Sequence, residues 1–95
     1  MKNEITAKIS EIKKDLKKIG WKIHAERSTF ERSAYYITIS KNLDNGEEFN
    51  NEIRFSDHEQ PHYYPHDADY ECRFDLDGEA WSKLKPVLEK LYNEV

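Results

Sequence analysis

The chain predicts an α+β domain of order α-β-β-β-β-α, a four-stranded antiparallel sheet with its two terminal helices packed on one face. Three observations predict it. Apolar residues recur at helical spacing at both ends, the segments between them alternate apolar with polar residues, and turn-forming residues separate those segments. At 95 residues, residues 1–95 are expected to form one domain whose core buries roughly 60–65% of the unfolded surface.

The first helix is expected from Asn3 to Ile19. Ile5, Ile9, Ile12, Leu16 and Ile19 are spaced by three and four residues and so fall on one stripe. Asn3 suits the N-cap, Lys13, Lys14, Lys17 and Lys18 complement the negative end of the helix dipole, and Gly20 suits the left-handed position that ends a helix. A first strand over about 21–28 follows, with Trp21, Ile23 and Ala25 on one face and Lys22, His24 and Glu26 on the other. The β-branched and aromatic run from Ala34 to Lys41 predicts a second strand, with Tyr35, Ile37 and Ile39 inward. Asn45-Gly46 predicts a hairpin into a third strand carrying Phe49, Ile53 and Phe55.

The third strand is expected to end near Ser56 or Asp57 and a fourth to run over about 70–76, with Cys72, Phe74 and Leu76 inward. Asp77 can cap a last helix whose apolar stripe is Trp81, Leu84, Leu88 and Leu91, and Pro86 predicts a kink or a break into two short helices. The lone Cys72 excludes an internal disulfide and is expected to be a buried, inert thiol. No apolar run reaches the roughly 18 residues that would span a membrane, so the reading points to a cytoplasmic protein without membrane contact.

Charge is unevenly distributed. Residues 1–43 hold 10 basic against 5 acidic groups, whereas residues 44–79 hold 2 against 12. An acidic region of this density repels nucleic acid and attracts a basic protein surface or a divalent cation. The lysines of the first helix lack the arginines and interleaved aromatics of a nucleic-acid patch and read as a solvated face.

Residues 57–69 hold the candidate site. Pro61 and Pro65 forbid a regular ladder there, and a loop of that length is commonly functional. Tyr63 and Tyr64, stiffened by the prolines, suit a recognition surface, with His62, His66, Asp57, Glu59, Asp67 and Asp69 around them as partner-binding residues. The alternative is a divalent metal held by His58, His62 and His66, in a metal-binding protein or metal-dependent enzyme. Their spacing of four aligns ligands on a helix, which the prolines break. Ser56-Asp57-His58 is no catalytic relay, because neighbours along a strand point to opposite faces.

The pattern I-R-F-S-D-H at 53–58, preceded by S-A-Y-Y at 33–36, resembles stretches of small proteins of phages and mobile elements. The resemblance implies a non-enzymatic, stoichiometric inhibitor of a host defence protein or host enzyme, of the kind that includes anti-CRISPR proteins. Such a protein needs no cofactor and would bind a host protein with a basic surface. A structural subunit of a phage particle or a homo-oligomer, including a homodimer, is a further expectation.

The two readings of the loop make opposite demands. In a recognition loop, Tyr63→Ala and Tyr64→Ala each weaken partner binding by more than about 1 kcal/mol while chelators change nothing. In a metal site, zinc raises the melting temperature and His62→Ala abolishes that rise. Calorimetric melting with and without zinc separates them.

Overall fold

The computed structural model describes residues 3–29, 34–56, 68–74 and 77–95, with side chains from Thr6 onward except that of Thr29. The elements follow in the expected order: α1 (Asn3–Ile19), β1 (Lys22–Thr29), β2 (Ala34–Asn42), β3 (Glu48–Ser56), β4 (Tyr70–Arg73) and α2 (Glu79–Glu94). The sheet order is β1-β2-β3-β4.

One strand runs against expectation. β1/β2 and β2/β3 are antiparallel, but β3 and β4 are parallel, pairing Ile53 with Tyr70 and Phe55 with Cys72. The sheet is therefore mixed. Antiparallel neighbours can be joined by a two-residue turn, whereas parallel neighbours need a crossover of about a dozen residues. Residues 57–69 have that length, so the span first read as a functional loop is required by topology alone.

α1 ends as its sequence predicts. Trp21 N–H donates to Leu16 C=O (3.1 Å) and Gly20 N–H to Lys17 C=O (3.1 Å), the paired bonds of a glycine-terminated helix. Gly20 takes φ +126°, and a Cβ there would lie 2.5 Å from the Tyr92 ring of α2. Both conformation and space demand glycine.

In β1 the register slips between Ile23 and Ala25, so that Ile23 pairs with Ile39 and Ala25 with Thr38. This bulge at His24 inverts the expected alternation beyond it. Glu26, not Ala25, lies opposite Ile37 on the helix side, and Ala25 is exposed.

The β2/β3 hairpin closes through a three-residue turn. Gly46 N–H donates to Leu43 C=O (3.0 Å), Leu43 N–H to Glu47 C=O (2.8 Å), and Gly46 has φ +87°. A turn finished by a left-handed glycine matches the twist of the flanking strands. The core beneath the helices joins Ile9, Ile12 and Leu16 of α1 to Ile37, Ile39, Ile53, Phe55 and Cys72 of the sheet and to Trp81 and Leu88 of α2. Each such aliphatic or aromatic side chain, taken from water to full burial, contributes about 1.5–3 kcal/mol.

α2 differs from expectation at two points. Gly78 (φ +72°), not Asp77, holds the N-cap position, and no side chain caps the helix. Ser82 N–H and Oγ–H both donate to Gly78 C=O (2.9 Å each). The helix also runs unbroken through Pro86. Pro86 is exposed, so the Ser82 carbonyl that lacks an N–H partner faces solvent, while buried Trp81 and Leu88 hold the helix on either side. Its far end is secured by Lys41, whose Nζ donates to Tyr92 C=O (2.7 Å) and the Val95 backbone oxygen (2.9 Å) and sits 4.2 Å from the Tyr92 ring centroid.

Gly20→Ala is expected to destabilise the fold by about 2 kcal/mol, from left-handed strain and displacement of Tyr92. Thermal unfolding should show a melting temperature lower by roughly 8–16 °C. An unchanged value would mean that Tyr92 moves aside at no cost.

Candidate functional site

Of the residues expected to form the site, Asp57, His58, Glu59, His62, Tyr63, Tyr64, His66 and Asp67 lie outside the described residues. Asp69 is described and is structural. Its N–H donates to Glu52 C=O (2.9 Å), and its Oδ2 accepts from Glu52 N–H (3.1 Å). A carboxylate here extends the β3/β4 ladder by one step, just before Tyr70 begins the strand. Among the described residues, no three His, Cys, Asp or Glu side chains gather as metal ligands.

The charge segregation seen along the sequence is partly cancelled in space, because β1 and β3 flank the same strand. Arg27 Nη2 lies 3.5 Å from Glu52 Oε1, and His24 Nδ1 lies 3.4 Å from Glu48 Oε1. The hairpin tip keeps two uncompensated carboxylates. Asp44, Glu47 and Glu48 are exposed there, and neither Asp44 nor Glu47 has an ion-pair partner among the described residues. The tip is preformed: besides the two turn bonds, Glu47 N–H donates to Asn45 Oδ1 (2.9 Å).

The sheet face away from the core carries a row that sequence reading did not anticipate. Arg27, Tyr36, Arg54 and Glu71 stand side by side across all four strands. The Arg27 guanidinium lies 3.8 Å from the Tyr36 ring centroid, a stacking contact, and Arg54 Nη1 lies 3.5 Å from Glu71 Oε1. Arg54 is only 3% exposed, and its Nε has no hydrogen-bond partner. Alternation placed Arg54 outward, where a charged side chain normally meets water. Nothing in its immediate sequence signals burial on both faces of β3.

A second polar cluster lies at the edge of the α1–sheet interface. Tyr35 O–H donates to Glu26 Oε1 (2.8 Å), and Lys13 Nζ lies 2.9 Å from the same oxygen. The bond from Lys13 is the main cause that lowers the Glu26 pKa, against the opposing effect of burial, with Tyr35 helping. Burial, then the Glu26 carboxylate, pushes the Tyr35 hydroxyl up to about 12. This cluster exists because the His24 bulge turns Glu26 toward the helix.

Two hollows among the described residues are open to solvent. One of about 280 Å³ lies between the helices, lined by Asp15, Lys18, Ile19, Lys85, Glu89 and Asn93. Asp15 is already engaged there, accepting from Trp81 Nε1 (2.9 Å) and lying 3.8 Å from Lys85 Nζ. The other, about 100 Å³, lies beside Arg27, Tyr36, Thr38 and Glu52. Among the described residues, no helix is long and apolar enough to cross a membrane.

Compared with known proteins, the chain matches no family model, no curated protein and no solved structure.

The Tyr35–Glu26 pair sets two pH limits. Tyr35 has its folded pKa raised from 10 to about 12, so its stabilising contribution is complete below pH 10 and is lost as pH rises through 12. Glu26 has a lowered folded pKa, so its contribution is present above the unfolded value near 4.5 and is lost as pH falls below it. Urea unfolding from pH 9 to 12 should show a decline that Tyr35→Phe makes shallower. An unchanged alkaline slope in that variant would exclude Tyr35 as its source.

Proposed function

We propose that the protein acts by stoichiometric binding without catalysis, its acidic hairpin tip meeting a basic surface on a partner protein. The observation that carries this reading is the tip itself. Asp44, Glu47 and Glu48 stand exposed on a turn already closed by its own hydrogen bonds, so docking costs little ordering entropy. Carboxylates displayed on such a turn favour rapid, salt-sensitive encounter with cations. Tyr63 and Tyr64, with the acidic residues around them, belong to the same reading as further contacts.

The biological setting we propose is inhibition of a host protein by a phage or mobile element, within the cytoplasm. It draws on the likeness of I-R-F-S-D-H and S-A-Y-Y, and on the lone, buried thiol of Cys72, which suits a reducing compartment. That likeness rests largely on scaffold. Ile53 and Phe55 are fully buried, Tyr36 lies under Arg27, and Tyr35 bonds Glu26. A shared stretch of this kind speaks for a shared sheet more directly than for a shared target.

The test is capture of a partner from host lysate by the full chain and by an Asp44→Lys/Glu47→Lys variant. The wild-type chain should hold one partner in a one-to-one complex that weakens with salt. The variant should bind at least about tenfold more weakly, the size expected for two lost charge contacts. Binding that is indifferent to both the substitutions and salt, or turnover of a substrate, would overturn the proposal.

A further inference from the structure

β1 is an edge strand of eight residues, far longer than β4 at the opposite edge with four. From Lys22 to Ser28, every residue of β1 except Ile23 is exposed. Among the described residues, its backbone bonds only to β2, leaving the other side open. No proline interrupts it. Such an edge is a template for another extended chain, and proteins usually blunt it. Here the blunting is partial, because the bulge at His24 leaves residues 25–29 as a regular strand.

Two occupants can be compared. In a second copy, antiparallel pairing about a two-fold axis places residues from the same face opposite each other. The centred register of residues 25–29 then sets Arg27 against Arg27; of the two neighbouring registers, one sets Glu26 against Glu26, and the other sets Ser28 against Ser28 but pairs only residues 27–29 of the regular strand. Directly opposed like charges are destabilising. A strand of different sequence escapes this penalty.

The charge around the edge selects among such strands. On the face away from the helices, β1 presents Lys22, which has no ion-pair partner among the described residues, and Arg27, which already lies 3.5 Å from Glu52 Oε1; on the helix face, α1 brings Lys13 and Lys17 close enough to act on Glu26. Lys17 and Lys22 are exposed and have no ion-pair partner among the described residues. Glu26, the anion of the strand, is already held by Lys13 and Tyr35. Cations therefore flank both faces of an open strand edge.

We infer that β1 receives an extended, acidic segment of a partner protein as a fifth strand, paired along residues 25–29 between the cations of α1 and those of β1. Backbone hydrogen bonds supply the pairing, and carboxylates on alternate residues of the guest select it. This surface is separate from the acidic hairpin tip and has the opposite charge preference.

The experiment uses the full isotope-labelled chain and three short peptides with blocked ends: one alternating threonine with glutamate, one alternating threonine with lysine, and a threonine–glutamate peptide N-methylated at alternate residues. Amide shifts and hydrogen exchange are followed with each. The threonine–glutamate peptide should slow exchange at alternate amides within residues 25–29, and the other two should not. A Lys17→Glu/Lys22→Glu variant with an unchanged melting temperature should bind the acidic peptide about tenfold more weakly, whereas Asp44→Lys/Glu47→Lys should leave it unaffected. Equal binding of the acidic and basic peptides overturns the inference, as do shifts mapping away from β1 or no binding at millimolar peptide. Protection of β1 that grows with protein concentration alone also overturns it, because a second copy would then be the occupant.

Discussion

The Trp21 indole sits where α1 hands the chain to β1, and it reaches across 67 residues of sequence to donate its N–H to Leu88 C=O of α2 (3.2 Å). Its ring meets Tyr92 edge-on at 5.0 Å and lies 6.1 Å from Phe49 of β3. A buried indole removes roughly 150–250 Å² from water and must still satisfy its N–H, so the placement of α2 is set by both demands at once. The glycine before it follows from the same packing, since any side chain there would collide with Tyr92. Lys41 then ties the last turn of α2 back to the sheet. Helix end, strand start and hairpin base form one joint.

Away from that joint the molecule handles its charges by side. Apart from Lys22, the described lysines lie on the helices or, as Lys41, against the end of α2, whereas Arg27, Arg54 and Arg73 all stand on the sheet face away from the core. Arginine suits that place. Its planar guanidinium stacks on Tyr36 and tolerates weak hydration, as an ammonium does not. Truncating a partner of Arg54 would leave a buried cation less compensated, which is generally costlier than the pair itself is stabilising.

Element order, the end of α1, the hairpin and most of the inward-facing set were legible in the sequence because each has a local cause: a 3.6-residue stripe, a period of two, or a glycine where φ must be positive. The errors have non-local causes. Strand direction at β4 is not written in its own residues, because hydrophobic alternation is the same for either direction. The bulge at His24 follows from fitting β1 against β2 and α1 together, and no residue there announces it. Pro86 breaks a rule of propensity that burial on both sides of it overrides. Within the candidate site, composition identified acidity and aromatic content but could not show that Asp69 belongs to the sheet or that β1 has an open edge.

The parallel pairing of β3 with β4 also divides the chain by the distance over which its contacts close. β1, β2 and β3 join through short connections and can assemble early at little loop entropy, whereas β4 is separated from β3 by a longer stretch of chain. β4 is four residues long and pairs on one side only, with β3. It is therefore the strand with least to lose by detaching, and sub-global opening should release β4 from the edge while the β1–β3 meander persists. Because Cys72 is buried in β4, its reactivity toward a thiol reagent would report the frequency of that opening, so the lone cysteine serves as a built-in clock for the motion of the strand that carries it.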